Sequence, residues 1–317
     1  MTTAYQAPRL SRREAIRAGV LTGAASALAP WTTAAAQQPA PLLTRPIPST
    51  GEKLPVIGLG ANAYGVSAPD DIAARREVLQ RMPELGATVV DTAANYGRSE
   101  EVIGGVVREL GVRDRLFIAT KFMEETAEAG RASVEASFRK LQTNRIDLMQ
   151  AHNLRGVEPM MPILQELKAA KRIRYIGVTT SSVGQHAELA ALMRKYRFDF
   201  VQVNYSIDDR EAAAKILPLA RDRGAAVLLN VPFGGRRGSL FPRVAGKPLP
   251  PLAAELGART WAQFLLKYSL SHPAVTCAIP GMTQLRHLED NIQAGRGKLA
   301  DAAQRRKMET YWESLAG

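Results

Sequence analysis

The chain has a single cysteine, four histidines, only 6% aromatic residues and fewer acidic than basic side chains. One thiol, Cys277, excludes an internal disulfide. Its place in the apolar run Ala274-Val275-Thr276-Cys277-Ala278-Ile279 points to a buried, inert group. The histidines are dispersed and nothing carries the Cys/His spacing of a metal site, so no metal is expected. No apolar stretch is long enough for a stable membrane span; the mild one at 18–30 is too short. The shortage of acid leaves a net charge of +12. The basic residues are scattered without interleaved aromatics, which argues against nucleic acid and for a solvated surface that attracts anionic ligands. What remains is globular composition: 46% hydrophobic and 23% charged over 317 residues, enough for one large domain or two ordinary ones.

The first 36 residues read as a leader. Ser11-Arg12-Arg13-Glu14-Ala15-Ile16-Arg17 resembles a twin-arginine export signal, with Ala15 where phenylalanine is usual. An Ala/Gly-rich stretch follows, and Ala34-Ala35-Ala36 before Gln37 supplies small residues at the cleavage positions. Four arginines and one glutamate in this segment account for +3 of the net charge. The expectation is a signal peptide over 1–36, the twin-arginine machinery as a partner, and a periplasmic protein; a cytoplasmic location is the alternative. Residues 37–48, rich in proline, are expected to be a linker, leaving 49–317 as one domain.

Within that domain, Ser49-Thr50-Gly51-Glu52-Lys53 predicts a hairpin turn between short strands. From there, apolar β-type runs at 56–60, 87–93, 116–121, 146–152, 173–180, 198–206, 225–232 and 275–280 alternate with helix-period stretches. One of these is Val102-Ile103-Val106-Val107-Leu110, which stops at Gly111. Eight such repeats predict an α/β protein: a single-domain (β/α)8 TIM barrel preceded by an N-terminal β-hairpin. A doubly wound sheet is the alternative, but Gly58-Leu59-Gly60 is too short for its phosphate loop. The longest departure from the repeat, 234–256, shows no helix pattern and is expected to be a lid on the carboxyl face.

Three of the runs end in polar side chains. Val89-Val90-Asp91 is followed five positions later by Tyr96, 116–121 ends in Lys121, and 146–152 ends in His152. Taken singly, each has a plain structural role: a capping aspartate, a packed tyrosine, a snorkelling lysine, a core histidine. At successive strand ends of one barrel they converge on a pocket. A phenol alone is a poor acid at neutrality, but an ammonium held against it stabilises the phenolate, and a carboxylate keeps the ammonium charged and aimed. Tyr96 can then pass a proton to a carbonyl oxygen while another group supplies the hydride. A histidine at hydrogen-bond distance would orient the carbonyl.

This set resembles the Asp-Tyr-Lys-His tetrad of the aldo/keto reductase superfamily. The resemblance extends over nearly all of the chain from about residue 43, including Ser49-Thr50-Gly51, Gln202-Val203-Asn204-Tyr205-Ser206 and Ile279-Pro280-Gly281 followed by Glu289-Asp290-Asn291. It implies NADP(H)-dependent interconversion of an aldehyde or ketone with an alcohol, with NAD(H) the less favoured coenzyme, and with a small carbonyl or alcohol compound as substrate. It also implies Gln202 and Thr179 at the nicotinamide amide, Pro232, Phe233 and Gly234 by the pyrophosphate, and Gly60 among the cofactor-binding residues. Gly281, Thr283 and Arg286 would meet the adenosine phosphate, with Asp290 and Asn291 at the adenine. A helix N-terminus there suits an anion.

The chain departs from the family pattern at three places. Thr179-Thr180 stands for the usual Ser-Asn; Asn230 takes the position of the aromatic that stacks on the nicotinamide; Gly281 and His287 replace basic residues, with Arg286 the expected compensation. These departures leave open a second reading, a nicotinamide-binding redox sensor or interaction subunit on the same barrel. Export adds a demand of its own: outside the cytoplasm the coenzyme must be retained, with the 234–256 loop as the expected clasp.

Overall fold

The computed structural model describes residues 40–235 and 238–315. The leader expected over 1–36 lies outside the described residues.

The first element is a hairpin, β1 (Thr44–Pro46) antiparallel to β2 (Lys53–Pro55), with Thr44 opposite Pro55 and Pro46 opposite Lys53. Gly51 closes the turn at φ +77, a left-handed conformation in which a side chain would be strained. Strand β1 thus falls inside 37–48, the stretch expected to be a linker. Proline misleads here because it is tolerated on an edge strand, where the missing N–H is not needed. Arg45 on this strand donates to the carbonyls of Leu270 (2.7 Å) and His272 (3.0 Å), which fastens the hairpin to the barrel.

Eight parallel strands follow: β3 (Leu59–Gly60), β4 (Val89–Asp91), β5 (Phe117–Phe122), β6 (Ile146–His152), β7 (Ile173–Thr179), β8 (Phe200–Asn204), β9 (Ala226–Asn230) and β10 (Cys277–Ala278). Each pairs with its neighbours in sequence order. The ends also meet: Ile57 bridges Ala278 and Gly60 bridges Gly281, with the Gly60 N–H donating to the Pro280 carbonyl at 2.9 Å. The sheet therefore closes. Glycine at 60 is what the closure needs, because a Cβ there would lie 2.6 Å from the Ile279 carbonyl oxygen.

Side chains alternate in and out along each strand. The inward set forms one apolar cluster, including Val89, Phe117, Leu148, Phe200, Leu228 and Cys277, closed at the hairpin end by Ile47 and Leu54. Cys277 is fully buried there, and burial pushes its thiol pKa up. The outward set packs under the helices in a second, larger cluster. Helices α1 (Pro69–Arg81), α2 (Ser99–Leu110), α3 (Ala127–Lys140), α4 (Val157–Ala169), α5 (His186–Lys195) and α6 (Glu211–Asp222) connect successive strands from β3 to β9. In α2 the buried Val102, Ile103, Val106 and Val107 recur at helical spacing, and Gly111 ends the helix at φ +64.

The 234–256 segment differs from expectation. It contains two short helices, α7 (Phe241–Val244) and α8 (Pro251–Glu255), where no helix pattern is visible in sequence. Elements of four and five residues are too short to display an apolar period. The segment is tied down: Arg243 donates to Asp208 (3.0 Å) and to the Trp312 carbonyl (2.6 Å), with its guanidinium 4.3 Å from the Trp312 ring centroid. Helices α9 (Trp261–Leu270), α10 (Leu285–Gln293) and α11 (Ala302–Ser314) complete the chain. No helix among the described residues is long and apolar enough to cross a membrane.

Candidate active site

The strand period decides which side chains meet. Asp91 is two residues past the inward Val89, Lys121 two past the inward Ala119, and Gln150 and His152 two and four past the inward Leu148. All four therefore stand inside the barrel: Asp91, Lys121 and Gln150 one layer nearer the carboxyl face than the apolar plug, and His152 one layer further. Lys121 Nζ donates to Asp91 Oδ2 at 2.5 Å and to the Thr92 carbonyl at 2.6 Å; Gln150 Nε2 donates to Asp91 Oδ1 at 3.1 Å. Lys121 is 2% exposed and Asp91 3%, so water hardly screens the pair.

Tyr96 stands on the loop between β4 and α2. Its ring centroid is 5.1 Å from Lys121 Nζ and 5.8 Å from that of His152, at an interplanar angle of 80°. The loop is pinned from below. Thr92 and Ser99 hydroxyls lie 2.8 Å apart, and Ser99 Oγ donates to the Ala61 carbonyl at 2.9 Å. Gly65 permits the close approach of the neighbouring loop, since a Cβ there would fall 2.6 Å from the Tyr96 carbonyl oxygen. The structure thus brings together the four side chains singled out in the sequence.

It also adds two that sequence reasoning missed. Gln150 holds the second oxygen of Asp91, and Gly177 in β7 makes room for it: a Cβ at 177 would come within 2.9 Å of Gln150 Cγ. The signal was present as a glycine interrupting the apolar strand Ile173–Thr179, which often marks a close approach.

Burial, and secondarily the charge of Lys121, lowers the His152 pKa from its ordinary 6.5 to about 4. The imidazole is neutral at pH 7, and its Nδ1 is buried without a partner. In the unfolded chain His152 binds a proton below about pH 6.5, whereas in the folded chain it does so only near pH 4. Its neutral burial therefore costs nothing above pH 6.5, and acid favours unfolding progressively from 6.5 down to about 4. The expected loss is about 3 kcal/mol. Burial lowers His272 to about 4 as well, so His152→Gln should remove only part of the acid sensitivity in denaturation curves taken between pH 7 and 4.

Beside the tetrad lies a cavity of about 290 Å³, with Asp91, Tyr96, Gly60, Asn230, Pro232 and Gly281 in its wall. Phe233 and Gly281 also line a second cavity of about 480 Å³ with Trp261, His287, Asp290 and Asn291. Val231 and Gly234 are shared with a third of about 190 Å³ beside Ser206 and Asp209. The three adjoin across the carboxyl face, from Tyr96 to the start of α10. Thr179 and Gln202 are buried near the carboxyl ends of β7 and β8, where Thr179 Oγ1 donates to Gln202 Oε1 at 2.7 Å. Phe233 packs against Phe241, ring centroids 5.1 Å apart. Asp290 accepts from Thr260 Oγ1 (2.9 Å) and Gln263 Nε2 (2.7 Å). Thr283 and Arg286 are not brought to these walls: the Thr283 carbonyl accepts from Arg75 at 3.1 Å, and exposed Arg286 lies against His287. In α10 the inward stripe is Leu288, Asn291 and Ile292, which turns residue 286 to solvent.

The model of the aldo/keto reductase family matches residues 56–309. The chain belongs to this family. Among its relatives, an aldo-keto reductase of Bacillus subtilis, YhdN, is 33% identical over 200 residues, 58% of this chain and 60% of that protein. The aldo-keto reductase yakc [NADP(+)] of Schizosaccharomyces pombe is 27% identical over 299 residues, covering 79% of this chain and 86% of its own length. In fold, the chain is similar to an aldo/keto reductase of Klebsiella pneumoniae solved with NADP and acetate, with TM-score 0.67 and 24% identity over 83% of this chain and 93% of that one. The shared architecture is the (β/α)8 barrel with its N-terminal hairpin.

Proposed function

We propose that this aldo/keto reductase interconverts an aldehyde or ketone with an alcohol, using NADP(H) in preference to NAD(H). The observation that carries the proposal is the closeness of the Tyr96 ring both to the Lys121 ammonium and to the neutral His152 ring, at the wall of an open cavity. When bound, the coenzyme supplies or takes up the hydride. The residues present suit such a ligand: a run of cavities leads from the tetrad to α10, and Gln202 Nε2 is a buried donor without a partner. The NADP(+) in the name of the yeast relative supports the choice of coenzyme.

In this reading Tyr96 delivers a proton to the carbonyl oxygen, or receives one in reverse. Lys121 lies against it and stabilises the phenolate left behind. Asp91 keeps Lys121 charged and aimed, and Gln150 fixes Asp91 in turn. His152, neutral at working pH, serves as a hydrogen-bond donor that orients the carbonyl, not as a source of charge. Thr179 and Gln202 would hold the nicotinamide end; Pro232, Phe233 and Gly234 the middle; Gly281, His287, Asp290 and Asn291 the adenosine end.

We also read residues 1–36 as directing export by the twin-arginine route. Protein recovered from the periplasm, shortened after Ala36, is expected to oxidise NADPH faster than NADH when given a panel of aldehydes and ketones. Binding of both coenzymes with no consumption across the panel would contradict an enzyme and favour a sensor.

A further inference from the structure

Asn230 ends β9 at the wall of the tetrad cavity. Its side-chain orientation is fixed by chemistry: Nδ2 donates to the Thr180 carbonyl at 3.0 Å, a bond that only the nitrogen can make. Oδ1 is consequently turned away from that carbonyl, and it is shielded from water with no partner. One strand over, Gln202 is 1% exposed, with its Oε1 occupied by the Thr179 hydroxyl and its Nε2 likewise buried and unmet. Thr180 links the two, since its N–H donates to the Gln202 carbonyl at 3.0 Å and its own carbonyl accepts from Asn230. The ends of β7, β8 and β9 therefore present one free acceptor and one free donor, each oriented by a hydrogen bond at its other end.

Buried polar groups are nearly always satisfied, and leaving one unmet is costly. A primary carboxamide is the ligand group that completes this pair, with one carbonyl acceptor and an NH₂ donor. We propose that Asn230 is a specificity-determining residue for the 3-substituent of the pyridine ring: its Oδ1 accepts an N–H of the carboxamide, while Gln202 Nε2 donates to the carboxamide oxygen. Asn230 thus gives the site an amide contact, and Thr180, which carries no amide, acts through its backbone. This rests on the nicotinamide reading above and adds which of this chain's residues read the amide.

The test compares binding of NADP⁺ with that of its 3-acetylpyridine analogue, which keeps the carbonyl oxygen and lacks the N–H. Dissociation constants are measured by calorimetry on the full chain and on Asn230→Leu, with Asn230→Ala as a second variant should the first unfold at a lower temperature than the parent. Loss of one hydrogen bond to a buried acceptor predicts that the parent favours NADP⁺ by about tenfold. Both variants should bring that ratio close to one, chiefly by weakening NADP⁺. A ratio unchanged by the substitutions overturns the role of Asn230, as does a parent that binds the two nucleotides equally. If the parent binds neither nucleotide, the nicotinamide reading itself falls.

Discussion

Tyr96→Phe is expected to lower turnover by about 10²- to 10⁴-fold, the usual contribution of a positioned proton donor, with affinity for NADPH nearly unchanged. The substitution removes one oxygen and keeps the ring. Its edge contact with His152 and its place beside Lys121 are ring contacts, so phenylalanine should occupy the same position. Single-turnover rates with bound NADPH, alongside a binding titration, separate the two effects. A loss of less than tenfold would mean that the proton comes from elsewhere. His152 is the nearest alternative, although burial and Lys121 keep it from holding a proton near neutrality.

The second large effect is on stability. Asp91→Leu leaves the Lys121 ammonium 2% exposed with the Thr92 carbonyl as its remaining partner. Removing one member of a buried ion pair typically costs about 3–5 kcal/mol, because the other charge stays behind uncompensated. Urea denaturation at pH 7 should show a loss of that size. The double variant Asp91→Leu/Lys121→Met should recover part of it, since replacing both partners by apolar groups of similar volume is often neutral while the buried Gln150 amide still loses its acceptor. The recovered protein should nevertheless remain inactive. That combination would show that the pair is retained for its effect on Tyr96 and not for the fold. A single-variant loss below about 1 kcal/mol, the range of exposed pairs, would mean that water reaches the pair.

The sequence made the barrel legible because its strands are buried on both faces and read as apolar runs. Seven of the eight expected runs contain a strand, the eighth (116–121) overlaps all but the last residue of β5, and Ile146–His152 matches residue for residue. The tetrad was legible for a related reason: in a barrel, the inward residue nearest the carboxyl end of each strand points to one place, so spacing along the chain becomes proximity in space. Contacts that depend on side-chain direction were not legible. Gln150 lies among apolar residues and reveals its function only through the 3.1 Å bond to Asp91. Arg286 lies on the exposed side of α10, which its place in the sequence does not reveal. The helices of 234–256 are too short to leave a period, and proline at the start of α8 resembles a loop signal as much as a helix start.

Hydride from a nicotinamide is expected to reach a carbonyl carbon in the cavity beside Tyr96. The most direct measurement uses NADPH deuterated at the transferable ring hydrogen, with an aldehyde or ketone that the full chain consumes, and mass analysis of the alcohol. One deuterium is expected on the carbinol carbon of each product molecule, formed at a rate that Tyr96→Phe lowers by about 10²- to 10⁴-fold. Alcohol formed without deuterium, or labelled alcohol formed equally well by Tyr96→Phe, would contradict it.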